Sequence, residues 1–416
     1  MLSEKEKLDI LAHLGIELNR VHDLDILMER VLTEARQFVN ADAGSIYIRD
    51  KNQLDCTYSQ NDTLQKRLPP GEKLIYSTFK IPIDEKSLAG YVAATGKALT
   101  INDVYKLEPT SPFHFGKKFD DASGYKSQSI LTIPLKNTKD EVLGILQIIN
   151  AKDEANRIKS FSDSDTKMMH HFASIAAVAL ERAQMTRAMI LRMIRMAEMR
   201  DPMETGPHVN RVAAFSIEIY EGWAKRRNFP NNKIDKTRDM LRMAAMLHDV
   251  GKVSTSDLIL KKPARLDTIE YEAMKQHTLQ GARLFLNRQS DYDEAAGIVA
   301  LTHHEHWDGS GYPGHIDIKT GEPITGFKLP DGRAKGKKGN EIHLFGRIVA
   351  LADVFDALSS RRSYKEPWNQ TEIYRRIKSE AGNHFDPELV EIFFSRIEMI
   401  RSIQNRYQDD HLKNTS

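Results

Sequence analysis

The sequence predicts two domains of different fold class, an N-terminal α+β domain with an antiparallel sheet and a C-terminal all-α domain, joined by a long helix. Short strand-like runs alternate with helical segments over the first 160 residues. From about Asp163 the apolar spacing is helical, and it continues to about Arg200 without proline or glycine. The rest of the chain is helical in pattern, and a length of 416 residues suits two domains or more.

In chain order, the N-terminal elements begin with an apolar helical stripe over residues 8–39. Three strand-like runs follow, Ser45–Arg49, Leu54–Ser59 and Phe79–Ile83. Ser87–Thr95 is predicted to be a short helix that ends at Gly96. The runs Ser129–Leu135 and Val142–Ile149 predict a hairpin across a polar turn.

The C-terminal helices are predicted at residues 208–228, 235–250, 267–288, 291–304, 343–360, 369–381 and 387–407. We place an N-terminal helix at 1–17, the α+β domain at 18–183, the connecting helix at 184–200 and the all-α domain at 201–407. Residues 314–340 form a glycine- and lysine-rich insertion. The composition of this insertion fits either a solvated loop or a segment that covers an anionic substrate.

The connecting helix carries methionines at spacings of four, four, three and three, namely Met185, Met189, Met193, Met196 and Met199. Such spacing is typical of a coiled-coil seam, in which methionine fills irregular gaps. Together with the amphipathic N-terminal helix, the seam predicts a parallel homodimer.

Charge and cysteine content exclude several classes of protein. The formal net charge is +2, so the sequence predicts no nucleic-acid partner. Cys56, the one cysteine, excludes disulfide frameworks and multi-cysteine metal sites. No apolar run is long enough for a membrane span, and residues 1–7 lack the apolar core of a signal peptide, so we expect a cytoplasmic protein without a membrane partner.

Histidines and acidic residues recur through the helical half in an order that predicts a metal centre. A lone histidine such as His277 is by itself more typical of a packed core, but a buried His–Asp pair such as His248–Asp249 needs a compensating charge. The eight candidate ligands are Glu204, His208, His248, Asp249, His277, His303, His304 and Asp353.

This ligand set is twice what one tetrahedral zinc needs, and adjacent pairs can serve neighbouring ions. We therefore predict two or three divalent ions with a carboxylate as bridge, and the mixed N and O donors suit Fe, Mn or Zn. Clustered cations of this kind activate water and neutralise charge on a phosphoryl group. Lys252, one turn after His248, is predicted to contact a phosphate oxygen or protonate the leaving group, rather than to be a surface lysine.

Three segments of the helical half resemble the HD-GYP family of the HD superfamily: HDVGK at His248–Lys252, HHEHWDGSGYP at His303–Pro313 and the helix around Asp353. The resemblance covers about residues 195–405. It implies an all-α fold, a bi- or trinuclear metal centre that often contains iron, and hydrolysis of cyclic di-GMP to pGpG and, in many members, GMP.

The same resemblance implies roles for individual residues. The eight candidates match the family's ligand positions, with Glu204 as the carboxylate associated with a third ion. Asp249 and Lys252 are then the catalytic residues, with Lys252 at the scissile phosphate. The substrate-binding positions are Gly311, Tyr312, Pro313, Arg362 and Lys365.

Residues 18–183 resemble a GAF domain in their helix–sheet–helix order and closing helix. The run Phe119–Leu131 is similar to the subset of GAF domains that bind cyclic nucleotides. Four residues resemble that subset's structural lock: Asn150, Lys152, Phe161 and Asp165. The resemblance implies either a sensor of a small ligand, such as a cyclic nucleotide, or a domain that only dimerises or binds a partner.

We therefore expect a metal-dependent cyclic di-GMP phosphodiesterase that the N-terminal domain regulates through the connecting helix. A second hypothesis is a non-catalytic receptor for cyclic dinucleotide or a partner-docking protein. A third is an HD phosphohydrolase that acts on another nucleotide, against which the GYP residues argue.

Overall fold

The structure, a computed structural model, describes residues 4–69, 79–198, 206–359 and 369–407. The chain divides into two compact units, Met1–Arg187 and Ala188–Ser416. The border between the units lies inside one continuous helix, Asp163–Glu198. Within the described ranges, no helix has an apolar stretch long enough to cross a bilayer.

The N-terminal unit is an α+β fold around a single antiparallel sheet. Its helices are α1 (Glu4–Asn19), α2 (Leu24–Phe38), α3 (Asp62–Gln65), α4 (Leu88–Thr95), α5 (Lys118–Ser123) and the beginning of α6 (Asp163–Glu198). Its strands are β1 (Ala41–Asp50), β2 (Gln53–Asn61), β3 (Phe79–Pro82), β4 (Leu99–Ile101), β5 (Ile130–Lys136), β6 (Val142–Lys152) and β7 (Ile158–Lys159). The strand order is β3-β2-β1-β6-β5-β4, and β7 pairs with β6.

Alternation along the strands gives the sheet two buried faces. Ile46 of β1 and Leu146 of β6 point to a core that also contains residues of α2 and α6. Their neighbours Tyr47 and Ile145 point to the opposite face, which α4 covers. The predicted hairpin is present, with Ile133 opposite Leu146. The α+β prediction with an antiparallel sheet is thereby confirmed.

The helical stripe predicted over residues 8–39 forms two helices in the structure, α1 and α2. The stripe over residues 8–39 is interrupted after Asn19, and Asp23 begins α2 by accepting hydrogen bonds from the amides of Asp25 and Ile26. A side-chain cap of this kind satisfies amides that have no partner within the helix, so it starts a new helix where apolar spacing alone suggests continuity.

A buried polar cluster fastens the ends of β1 and β6. Asp42 is 3% exposed, contacts Lys152 and accepts a hydrogen bond of 2.7 Å from the hydroxyl of Thr63. Burial alone would raise the pKa of Asp42, but Lys152, Thr63 and Tyr125 together lower it. Two of the four residues compared above with a structural lock act here: Lys152 at Asp42, and Asn150, whose side chain accepts from the amide of Gln128.

The C-terminal unit is helical in all its described elements, as predicted. After the end of α6 come α7 (Gly206–Arg226), α8 (Asn231–Met246), a 3₁₀ turn (Val250–Ser254), α9 (Asp257–Leu260), α10 (Thr268–Arg283), α11 (Asp291–Thr302), a second 3₁₀ turn (Gly339–Glu341), α12 (Leu344–Ser359), α13 (Gln370–Ser379), α14 (Pro387–Ser395) and α15 (Ile397–Arg406). The core of this unit is lined by apolar residues of α7, α8, α11, α12 and α14.

The helix predicted over 387–407 is divided in two at Arg396, whose φ of −116° is not helical. The amide of Arg396 bonds to the carbonyl of Phe393, three residues earlier, which closes α14. Apolar spacing is preserved across this break, so the sequence pattern could not reveal it.

The insertion at 314–340 folds back on itself. Two isolated bridges, Ile316 to Pro323 and Lys328 to Ala334, shape its turns. The guanidinium of Arg283 in α10 donates to the carbonyls of Ile318 and Lys319.

Candidate metal centre

Three helices bring His208, His248 and Asp353 together although they are far apart in sequence. His208 is in the first turn of α7, Asp353 is in α12, and His248 lies two residues after the end of α8. Oδ1 of Asp353 is 3.7 Å from Nε2 of His208 and 3.8 Å from Nε2 of His248. We call these three residues the first cluster, and one cation could contact all of them.

The second cluster consists of Asp249, His277, His303 and His304. Oδ1 of Asp249 is 3.1 Å from Nε2 of His277 and 3.5 Å from Nε2 of His303. His277 comes from α10, and His303 and His304 directly follow α11. Two other segments of the helical unit therefore converge on the carboxylate of Asp249.

His248 and Asp249 connect the two clusters because they are neighbours in the chain. They follow the last turn of α8, where the backbone leaves the α-helix and enters the 3₁₀ turn. Nε2 of His248 is 3.3 Å from Oδ2 of Asp249. His248 thus belongs to the first cluster and Asp249 to the second, while their polar atoms remain close.

Gly251 allows this turn to lie against α10. A Cβ added at Gly251 would be 1.9 Å from the carbonyl oxygen of His277 and 2.4 Å from the amide nitrogen of Gly281. Only glycine leaves room for so close an approach of two backbones. This explains why the HDVGK segment carries glycine two residues after the metal-ligand candidate Asp249.

Hydrogen bonds at Nδ1 orient three of the imidazoles. Nδ1 of His248 bonds to the carbonyl of Ala245 at 2.9 Å, and Nδ1 of His277 bonds to that of Met274 at 2.7 Å. Nδ1 of His303 lies 3.0 Å from the carbonyl of Val299. A carbonyl only accepts hydrogen bonds, so Nδ1 carries the proton and each Nε2 keeps its lone pair.

Atoms without hydrogen bonds show that the second cluster fits a cation. Nε2 of His277, Nε2 of His303 and Oδ1 of Asp249 are buried, and none of the three has a hydrogen-bond partner among the described residues. Buried polar atoms without a partner are rare and costly. Three such atoms that face one another, each with a lone pair, are the donor set of a divalent metal.

The electrostatics of the second cluster also suit a cation. Burial alone would raise the pKa of Asp249, but Lys252 and His248 hold it well below its usual range, so the carboxylate is charged. Burial lowers the pKa of His303, and burial together with His303 and His277 lowers that of His304. Neutral imidazoles and ionised carboxylates are the protonation states in which these groups bind metal.

The side chain of Lys252 extends to the carboxylate of Asp249. Its Nζ is 2.8 Å from Oδ2 of Asp249, and its side chain is 16% exposed. The lysine therefore lies at the edge of the second cluster with a positive charge that part of the solvent can reach.

The predicted substrate loop lies over His304. The ring of Tyr312 stacks on the imidazole of His304 with centroids 4.9 Å apart. A Cβ at Gly311 would be 2.2 Å from the amide nitrogen of His306, so this position also requires glycine. Pro313 follows Tyr312 and is half-buried.

Glu305 holds this loop, and the sequence analysis missed it. The side chain is 2% exposed and accepts hydrogen bonds from the amides of Gly314, at 2.6 Å, and Lys337, at 3.2 Å. Burial raises the pKa of Glu305 despite these bonds. The acidic residue within HHEHWD was a signal, but its burial and its distant partner at Lys337 could not be read from the pattern.

A second missed group surrounds Tyr312. The exposed Tyr271 makes an edge contact with it, with centroids 6.4 Å apart. Nζ of Lys275 lies 4.8 Å from the ring centroid of Tyr271 and 5.4 Å from that of Tyr312. An aromatic pair with one cation therefore lies beside the second cluster.

Three of the predicted site residues are outside the described residues: Glu204, Arg362 and Lys365. The other seven metal-ligand candidates are all in one of the two clusters.

Comparison with known families matches a different family model to each of the two units of the chain. Residues 23–180 match the model of the GAF domain, and residues 205–358 match that of the HD domain. A further HD-domain model matches residues 330–389. The chain joins a GAF domain to an HD domain.

Curated relatives are similar to about half of the chain. A cyclic di-GMP phosphodiesterase of Thermotoga maritima is 38% identical over 221 residues, which is 53% of this chain and 51% of the relative. A 3'3'-cGAMP-specific phosphodiesterase 2 of Vibrio cholerae is 36% identical over 189 residues, 45% of this chain and 31% of the relative. The chain thus spans about half or less of the length of these relatives.

Proposed function

We propose that the HD domain is a metal-dependent phosphodiesterase that hydrolyses cyclic di-GMP to pGpG, with GMP as a further product. The arrangement that carries the proposal is the pair of clusters joined through His248 and Asp249, with Lys252 at the edge. Two neighbouring cation sites beside a partly exposed ammonium group suit the cleavage of a phosphodiester.

We propose that the two clusters hold two divalent ions, and that Glu204 supplies a ligand for a third. Imidazole nitrogen and carboxylate oxygen without thiolate favour Fe, with Mn and Zn as alternatives. When bound, the ions would provide a water-derived nucleophile at neutral pH and neutralise charge on the phosphoryl oxygens.

The chain's own residues would position the substrate and move protons. Asp249 stays ionised and sets the geometry of the second cluster, and Lys252 contacts a phosphate oxygen or donates a proton to the leaving oxygen. Gly311, Tyr312 and Pro313 line the substrate. Arg362 and Lys365 would contact phosphate and guanine, since a dinucleotide with two negative charges needs cations beyond the metals.

The test is to incubate the full chain, purified without chelator or oxygen, with cyclic di-GMP and to separate the products by chromatography. We expect linear pGpG and loss of turnover after chelation. Binding of cyclic di-GMP by metal-loaded protein without any linear product would favour the receptor hypothesis instead.

A second candidate substrate is 3'3'-cGAMP. The observation in its favour is the similarity to the relative from Vibrio cholerae whose name specifies that dinucleotide. Parallel assays with both dinucleotides, compared as kcat/KM, decide between them, because discrimination is a ratio of these values.

We also propose that α6 forms a seam between two copies of the chain. Five apolar side chains of α6 are exposed by 44% to 65%: Val178, Met185, Met189, Met193 and Met196. Val178 and Met189 are eleven residues apart, as are Met185 and Met196, and an eleven-residue repeat keeps a stripe on one side of an α-helix. A second copy carries the same repeat, so it matches the stripe along its length.

For the GAF domain we propose a small ligand, with a cyclic nucleotide as the first candidate. The support is the similarity of residues 119–131 to the nucleotide-binding subset. Calorimetry with cyclic GMP and cyclic AMP tests this, and the absence of binding would favour a domain that only dimerises or binds a partner.

A further inference from the structure

A buried carboxylate, Asp356, lies behind the first cluster. It is 1% exposed, and its Oδ2 is 2.9 Å from Nδ1 of His208. On the other side of the same imidazole, Nε2 of His208 lies 3.7 Å from Oδ1 of Asp353. His208 is thus held between one carboxylate of the cluster and one behind it.

Arg211 completes this arrangement. Its Nε donates to Oδ1 of Asp356 at 2.6 Å, and its Nη2 donates to Oδ2 at 3.0 Å. These two bonds make the pair bidentate, and Arg211 is 5% exposed, so the pair is shielded from water. An ionised carboxylate only accepts hydrogen bonds, so the proton between Asp356 and His208 belongs to Nδ1 of the imidazole.

Helical spacing explains how two helices supply all four residues of this arrangement. His208 and Arg211 are three positions apart on α7, and Asp353 and Asp356 are three positions apart on α12. Residues at that spacing share one face of a helix. Each helix therefore contributes one residue to the cluster and one residue that supports it.

Arg211 also connects this arrangement to Tyr407, at the end of α15. Nη1 of Arg211 donates to the backbone carbonyl of Tyr407 at 2.8 Å. The phenol of the same tyrosine is 3.4 Å from Nη2 of Arg242, which is 5% exposed. The last described residue of the chain is therefore connected to His208 through Arg211 and Asp356.

We propose that Asp356 and Arg211 are positioning residues for metal binding at the first cluster. Asp356 keeps the proton of His208 on Nδ1 and fixes the ring, so that Nε2 offers its lone pair to the ion. Arg211 holds both oxygens of this carboxylate in a bidentate pair and ties it to the end of α15. This inference rests on the proposed role of His208 as a metal ligand.

The test is the affinity for Mn²⁺, with Co²⁺ as a spectroscopic probe, measured on the full chain without substrate. In Asp356→Asn, the amide cannot satisfy the imidazole and the guanidinium as a carboxylate does. We expect one of the bound ions to dissociate about 10- to 100-fold more readily, a size typical of outer-sphere changes. We also expect a changed visible absorption spectrum of bound Co²⁺.

The double variant Asp356→Leu with Arg211→Met protects the test against unfolding, because it replaces a buried ion pair with apolar groups of similar size. We expect it to fold and to lose metal affinity like Asp356→Asn. The matched control is Asp386→Asn, which alters a buried pair with Arg347 of 2.6 Å in the same domain. The control should lose stability and keep its metal affinity.

Unchanged Mn²⁺ affinity and an unchanged Co²⁺ spectrum in both Asp356 variants would overturn the positioning role while leaving the proposed function in place. Wild-type protein that binds no ion would instead overturn the proposed function itself. Because no turnover is measured, the choice of dinucleotide substrate does not affect either outcome.

Discussion

At Asp249 one carboxylate faces imidazoles of both clusters and the ammonium group of Lys252. We expect Asp249→Ala to reduce bound metal and to leave no measurable turnover of cyclic di-GMP, because the second cluster loses its charged donor. Elemental analysis and product chromatography measure the two effects. Asp257→Ala, which removes an exposed carboxylate of α9, should change neither; a variant of Asp249 with full metal content would contradict its role as ligand.

Removing the side chain of Lys252 should lower the catalytic rate without changing the metal content. We expect Lys252→Ala to retain its ions and to lose about 10²-fold in kcat, a size typical of one lost acid or electrostatic contact. Lys261→Ala, at an exposed lysine of the same segment, is the matched control. Full activity in Lys252→Ala would show that the ammonium group takes no part in the reaction.

The sequence identified the candidate metal ligands better than the residues that support them. Imidazoles beside carboxylates in apolar helices are conspicuous, and all seven described candidates lie in the two clusters. Glu305 and Asp356 act through burial and through partners such as Lys337 and Arg211, which are far away in sequence. Local spacing carries no information about such partners, so these roles required the structure.

Among the elements, the 3₁₀ turn after α8 depends on Gly251. We expect Gly251→Ala to destabilise the HD domain by about 3 kcal/mol, at the upper end for overpacking, because two backbones would have to separate. Calorimetry of the full chain measures this. Gly297→Ala in α11 is the control, since its Cβ would meet Phe285 at an ordinary 3.4 Å and alanine favours a helix.

The pairing of β1 with β6 should depend on pH through Asp42. The folded-state pKa of Asp42 is lowered, so its contribution is present above the unfolded pKa and is lost as pH falls through the folded value. We expect Asp42→Asn to cost about 3 kcal/mol near neutral pH, since Lys152 loses a buried partner, and the difference from wild type to shrink in acid. Thermal unfolding from pH 7 to pH 3 tests this.

The control for Asp42 is Asp140→Asn, because Asp140 pairs with Lys136 while its side chain is 82% exposed. Exposed pairs contribute little to stability, so this variant should unfold like the wild type at each pH. An Asp42 variant with the same pH profile as Asp140→Asn would contradict the role of the buried pair.

The type of an element was predictable wherever the apolar periodicity extended over many residues. The residues at which elements begin and end were not predictable in this way. The hairpin β5–β6 and the helices of the C-terminal unit follow apolar spacing that the sequence displays. The breaks before Asp23 and at Arg396 depend on one cap and on one three-residue hydrogen bond. Neither break interrupts the apolar pattern, so spacing alone predicted helices that were too long.

For the whole molecule, the exposed stripe of α6 predicts self-association. We expect wild-type protein to be a dimer at micromolar concentration in light scattering, and Met189→Glu with Met196→Glu to be a monomer, because four like charges would meet in the seam. Ile324→Glu, at an apolar residue of the insertion that is 44% exposed, should remain a dimer. A monomeric wild type would contradict the proposed seam.

Four of the five apolar side chains in that stripe are thioethers that solvent can reach. Hydrogen peroxide converts such groups to sulfoxides, which are polar and which methionine sulfoxide reductases convert back. Oxidation of this surface would therefore weaken self-association reversibly. The proposed assembly of this protein would thus respond to oxidants without any cysteine chemistry.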